Sequence, residues 1–279
     1  MNNQFERHMK RLIARPIIRF IPKAKSLVIV TFHNIEAKHH QWFCDVMDLV
    51  NSEYEFCSID DFLGSKHDID KHKLHVLLTF DDGFYSNRIV AEKYLARYSA
   101  KALFFLTEKF IGLNVDESFN FAKTNFYPIS EISTDEKESF RSMSWGDVEW
   151  LLDQGHQVGA HSANHIKLID SETESDLHEE ILNSTERLEK RLGSRINTFA
   201  FPFGGCSDIG LRALSLAKDR FDYTFSNVRG SVADSPGSHF LFRQNLVPGD
   251  PLWLVKAMIE GRMDWKYRRA RLAAHHRFS

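Results

Sequence analysis

Val76-Leu77-Leu78-Thr79-Phe80-Asp81-Asp82-Gly83 joins an apolar, strand-type run to two adjacent carboxylates and a glycine. Gly83 lets the chain turn sharply where the run ends. Asp-Gly alone is an ordinary turn signal. Two carboxylates beside a metal can divide labour, one ligating while the other accepts a proton. Outward from this stretch, runs of the same kind recur at Leu27–Phe32, Ala102–Thr107, Gln157–Ala160, Thr198–Phe201, Tyr223–Phe225 and Phe240–Phe242. Helical patterns fall between them, at Trp42–Val50, Asn87–Tyr98, Trp145–Gln154, Glu174–Leu192, Asp208–Lys218 and Leu252–Glu260. The longest carries an apolar stripe of Leu177, Ile181, Leu188 and Leu192, with Gly193 placed as a C-terminal cap. Such alternation predicts an α/β fold with helices outside a barrel of about seven parallel strands.

The 279 residues are 43% hydrophobic and 27% charged, with a formal charge of −2, which excludes a disordered or coiled-coil chain. No basic footprint points to nucleic acid. The 23 Phe, against 7 Tyr and 5 Trp, read as core filling. Cys44, Cys57 and Cys206 form no CxxC pair, which suits a reducing compartment. No run approaches the roughly 20 apolar residues of a membrane span, and the start of the chain lacks a signal-peptide pattern. A cytoplasmic location is therefore expected. Residues 1–26 form a basic amphipathic segment, in which Lys10, Arg11, Arg15 and Arg19 interleave with Leu12, Ile13, Ile17 and Ile18. Either a membrane-peripheral anchor or a segment packed on its own domain would look so, and Pro16 and Pro22 limit any helix. Residues 27–261 make the barrel domain, and 262–279 read as a basic, solvated tail. Residues 112–141 are long, polar and weakly patterned, as a lid, a binding loop or plain decoration would be.

Two further segments sit where strands end. His161-Ser162-Ala163-Asn164-His165 spaces two imidazoles so that a helical turn would aim both to one side. With one carboxylate they make a metal set that leaves positions open. His156, at a strand start, reads as structural. Phe199-Ala200-Phe201-Pro202-Phe203-Gly204-Gly205 suggests a groove wall with exposed backbone N–H groups, or simply a strand exit.

Taken in order, these motifs resemble the NodB-homology polysaccharide deacetylases, carbohydrate esterase family 4. The likeness runs from about Leu27 to Phe242 and includes TFDDG, ALFFLTEKFIG, SMSWGDVEWLLDQGHQVGAHSANH and FAFPFGG. It implies a distorted, NodB-like (β/α) barrel and a hydrolase that removes an N-acetyl or other N-acyl group from an amino sugar. The sugar would belong to a polysaccharide, a lipid-linked glycan or a nucleotide sugar in bacterial surface glycan biosynthesis. It further implies Asp81 as base and a divalent metal on Asp82, His161 and His165, with Zn²⁺ foremost and Co²⁺, Ni²⁺ or Mn²⁺ as alternatives. Pro202 and the Phe203 amide would face the substrate oxyanion. The family's third motif often opens with an Arg that braces the base, and that place holds Ala200. Arg243 or Arg229 would have to supply the guanidinium. No late His motif is evident, although His239 is available. Thr31-Phe32-His33-Asn34 looks like the version of that element found first in circularly permuted members, which makes His33 the expected general acid. A non-catalytic sugar-binding or membrane-peripheral relative is the competing expectation. Oligomeric state has no motif here.

Overall fold

A computed structural model of the chain describes residues 27–63, 73–126 and 134–279. Its strands are β1 (Leu27–Phe32), β2 (Glu55–Cys57), β3 (His75–Phe80), β4 (Ala102–Leu106), β5 (Gln157–Ala160), β6 (Thr198–Ala200), β7 (Tyr223–Phe225) and β8 (Gln244–Asn245). All ladders are parallel, in the order β7-β6-β5-β4-β3-β1-β8, with β2 beside the first half of β3. One stretch ties the two edges of this curled sheet together. Leu241 bridges to β7, and Gln244–Asn245 then pairs with β1. The result is the distorted barrel expected from the sequence, with its strands contiguous except at this short join.

Side-chain alternation sorts the strands into two surfaces. Val76, Leu78 and Phe80 of β3 and Phe104 of β4 pack outward beneath the helices. Leu77, Leu103 and Phe105, with Ile29 of β1, fill the barrel interior. In the same alternation Thr31 and His33 follow Ile29, and Thr79 and Asp81 follow Leu77, toward the mouth. The aromatic surplus serves this outer layer: Phe32 meets Phe43 edge-on at 5.3 Å, and Phe80 stacks on Phe104 at 4.9 Å.

The longer helices are α1 (His40–Glu53), α2 (Tyr85–Lys93), α3 (Val115–Asn125), α4 (Trp145–Asp153), α5, α6 (Leu211–Arg220), α7 (Leu252–Ile259) and α8 (Arg268–Phe278), and a short one spans Ile59–Leu63. Helix α5 runs Glu174–His178, passes through a π turn at Glu179–Asn183 and continues through Ser184–Leu192. Gly193 ends it in the left-handed region, φ 66°, where its N–H bonds the Glu189 carbonyl. Among the described residues no helix is long and apolar enough to cross a membrane.

Several expectations change. The Phe240–Phe242 run is not a strand beyond the Leu241 bridge; the ladder starts at Gln244. Strand β2 went unforeseen because three residues carry no periodicity. The polar 112–141 stretch contains α3, held by an Asn114/Glu117 capping box and anchored by buried Phe119 and Ala122. Residues 262–279 are no solvated tail: Ala274 and Phe278 of α8 are buried, and Phe278 stacks on Phe240 at 4.3 Å. The basic segment 1–26 lies outside the described residues.

Candidate active site

The carboxyl ends of the strands surround a cleft of about 510 Å³ that gathers His33, Asp81, Asp82, His161, His165 and Arg243. β3 delivers both carboxylates, and the turn after it splits their directions. Asp82 takes φ 77° and Gly83 φ 99°, and a Cβ on Gly83 would come within 2.5 Å of Ile111 Cδ1. The left-handed residue costs least when it is Asp, Asn or Gly.

Asp81 is buried and gripped by Arg243, whose Nη1 and Nη2 donate to Oδ1 and Oδ2 at 2.7 and 2.8 Å. Two further donors of Arg243 are also used: Nε reaches the Ser226 carbonyl at 2.8 Å and Nη1 the Thr31 hydroxyl at 3.2 Å. Burial alone would raise the Asp81 carboxyl. The Arg243 guanidinium outweighs it, with help from His161 and His33, and holds the group well below the ordinary carboxylate range. His33 Nε2 lies 3.9 Å from Asp81 Oδ2. Its loop is fixed by Asn87, which donates to the His33 carbonyl, and by Ser86, which donates to Asn34 Oδ1.

Asp82 is wired differently. Its Oδ1 stands 3.5 Å from His161 Nε2 and 3.4 Å from His165 Nε2, and this buried oxygen accepts no hydrogen bond. His161 Nδ1 donates to the Ala200 carbonyl at 2.7 Å and His165 Nδ1 to the Asn125 carbonyl at 3.1 Å. A carbonyl only accepts, so each Nδ1 carries a proton. Burial, the chief cause, lowers the His165 pKa to about 4, so at neutral pH its Nε2 bears a lone pair. Two acceptors then face each other, an arrangement that a cation between them resolves. Burial pushes the Asp82 carboxyl up, but the two imidazoles against it hold it low. Among the described residues this is the one trio of His, Cys, Asp or Glu ligand atoms lying within 4.8 Å of one another. The residues present fit a divalent metal.

The 161–165 segment is not the helical turn that the spacing suggested. It is a loop after β5, with Ser162 and His165 at φ 64° and 57°, and the backbone reversal brings the imidazoles together. Phe203, at φ 58°, lies over His165 with ring centroids 4.8 Å apart. Among the described residues its N–H has no protein acceptor. Pro202 accepts from the Gly204 N–H in the same turn. His239 lies elsewhere, in a surface recess with Arg195 and Lys218. Arg229 also stays out of the cleft, against Met258 and Tyr267.

Sequence reading missed the contribution of the 112–141 segment: the Asn125 carbonyl aims His165, and Phe126 meets that imidazole edge-on at 4.8 Å. Asn114-x-x-Glu117, a capping box, was the available signal for the helix that delivers them. Glu180 was missed as well. It sits in the π turn of α5 and accepts from the Ala163 and Asn164 amides.

A parallel barrel carries at its strand ends an arginine-clamped aspartate beside a carboxylate–bis-imidazole trio, the kind of side-chain set that hydrolytic chemistry can use. The polysaccharide deacetylase family model matches residues 68–219, just over half of the chain, and the chain belongs to that family. Members are hydrolases of amide bonds and generally use a divalent metal. The matched region holds Asp81, Asp82, His161, His165 and Phe203; His33 and Arg243 lie outside it. No curated protein matches the sequence. Solved structures share the fold. IcaB from Ammonifex degensii aligns at a TM-score of 0.65 and 19% identity over 85% of this chain and 98% of that one. The deacetylase PplD of Streptococcus pyogenes, in complex with acetate, gives 0.62 and 19% over 85% and 99%. A polysaccharide deacetylase from Bacillus cereus gives 0.61 and 17% over 85% and 69%.

Proposed function

We propose that this chain is a metal-dependent N-deacylase that removes an acetyl, or a closely similar acyl such as formyl, from an amino sugar. The sugar lies in a glycan, a lipid-linked intermediate or a nucleotide sugar. One observation carries the reading: a single cleft holds two adjacent carboxylates with opposite wiring. Asp81 is clamped by Arg243, while Asp82 is left facing two imidazoles.

A divalent cation on Asp82, His161 and His165, zinc foremost, supplies Lewis-acid polarisation of substrate and water oxygens. The proton work belongs to the chain. Asp81, held ionised, takes the proton of the water that attacks the acyl carbon. His33 Nε2 gives a proton to the amide nitrogen as the C–N bond breaks, because an unprotonated amine anion leaves poorly. One water is consumed, the acyl group departs as its acid and the sugar keeps a free amine. The unpaired Phe203 N–H is available to the oxyanion, and Pro202 restricts the turn that presents it. Arg243 fills the bracing role that Ala200 cannot, which removes the motive for a non-catalytic reading.

The test is acetate release from N-acetylglucosamine oligomers and lipid-linked N-acetyl sugars, with metal content measured in parallel. Asp81→Asn should lose about 10³-fold or more in rate yet keep stoichiometric metal, whereas His165→Ala should lose the metal. Wild-type turnover by Asp81→Asn removes Asp81 as the base. Wild-type protein that takes up no metal removes the whole scheme.

A further inference from the structure

The helix α8 and the helical turn before it, Asp264–Tyr267, show two unlike faces. The inner face is fastened down. Asp264, Ala274 and Phe278 are buried, Arg271 pairs with Asp264, and Arg277 pairs with Asp170. Arg277 also donates to the Cys206 carbonyl at 3.1 Å, on the loop whose Phe203 walls the cleft.

The outer face carries Trp265 and Leu272, 58% and 54% exposed. Seven positions apart, they fall on one side of the helix, and Arg268 and Arg269 lie exposed between them. Charge there is unbalanced. Arg271 and Arg277 have carboxylate partners, but Lys266, Arg268 and Arg269 have none among the described residues. A lone exposed apolar side chain is ordinary. Two large ones flanking Arg268 and Arg269 on one face of a helix anchored by its other face, with the Lys266 ammonium 5.6 Å from the Trp265 ring centroid beside them, combine both halves of an interfacial binding element.

We propose that this face of α8 docks on an anionic lipid bilayer. Trp265 and Leu272 enter the boundary between headgroups and acyl chains, and Lys266, Arg268 and Arg269 meet lipid phosphates. A polyanion in solution would use the cations and leave Leu272 in water; a bilayer surface satisfies both. Because α8 is tied to the Cys206 loop, docking holds the cleft at a fixed attitude to the membrane. The docking itself does not depend on the deacylase reading.

The test is sedimentation of full-length protein with phosphatidylglycerol–phosphatidylcholine vesicles and with phosphatidylcholine vesicles. Residues 1–26, present in every variant, contribute equally to all. Arg268→Glu/Arg269→Glu should weaken partitioning into the anionic vesicles about tenfold or more, and Trp265→Ala several-fold. High salt should release the wild type, and neutral vesicles should bind it weakly. Acetate release from soluble oligomers should be unchanged in these variants, so a failed docking surface and a failed deacylase assignment are seen separately. Equal binding by wild type and the double variant, or binding by neither, overturns the proposal. So does equal binding of the wild type to both vesicle types.

Discussion

Among the described residues Arg243 is the largest fully buried side chain, and its geometry explains how a carboxylate can remain charged beneath the cleft floor. A buried ion pair stands only when nearly every donor and acceptor is used. Here Asp81 takes one N–H from each terminal nitrogen, Ser226 takes Nε–H, and Thr31 and Thr79 share the second Nη1–H. Arg243→Lys keeps a charge but loses the fork. The Asp81 carboxyl should then rise from its depressed position, because burial is no longer fully opposed. The acid limb of the pH–rate profile should move to higher pH and the rate should fall by roughly 10²-fold. A pH–rate profile unchanged in this variant would show that the guanidinium does not set the charge of Asp81. In the sequence both Arg243 and Arg229 could supply the guanidinium, with Arg243 the favoured one. The pairing spans 162 residues, and no local pattern records which arginine crosses the barrel interior.

The histidine loop and α5 show how an element positions a site without touching substrate. A regular helix through Glu174–Leu192 would continue its 3.6-residue period; the π turn at Glu179–Asn183 inserts one residue and re-aims the next side chains. Glu180 is thereby buried, and its carboxylate accepts from the amides of Ala163 and Asn164 and from the Asn164 side chain. These bonds hold the loop between His161 and His165 in its strained turn. Glu180→Ala should weaken Zn²⁺ affinity by about 10- to 100-fold in competition with a chelator, since outer partners of metal ligands typically matter by that much. Far-UV circular dichroism should stay that of the wild type. Unchanged affinity would reduce Glu180 to a packing role. The Leu177–Ile181–Leu188–Leu192 stripe announced the helix correctly, yet the stripe carries no trace of the extra residue.

At the scale of the molecule, a residue outside the cleft should contribute to sensitivity of the barrel to acid. His156 precedes β5, accepts at Nδ1 from the Ala102 amide at 3.2 Å and meets Phe104 edge-on. Burial, with Lys101 nearby, lowers its pKa from 6.5 to about 4. The unfolded chain therefore binds the proton first. The stability this neutral ring contributes is complete above about pH 6.5 and is lost progressively as pH falls toward 4, on the order of 3 kcal/mol in all. His156→Asn should lower Tm at pH 7 but flatten its fall between pH 6.5 and 4, measured by thermal melts across that window. A parallel slope in wild type and variant would place the acid sensitivity elsewhere.

The sequence alone determined the strand–helix alternation, the main strands and the candidate site residues, because burial periodicity and strand-end motifs are local properties. It placed Asp81, Asp82, His161, His165 and His33 at strand ends without any distance between them. Only the tertiary structure decided which arginine reaches Asp81, that the imidazoles converge through left-handed loop residues rather than a helical turn, and that Asn125 orients His165. It also folded residues 262–279 onto the barrel. Each of these depends on contacts between segments far apart in the chain, fixed by sheet register and helix packing that no short window of sequence contains.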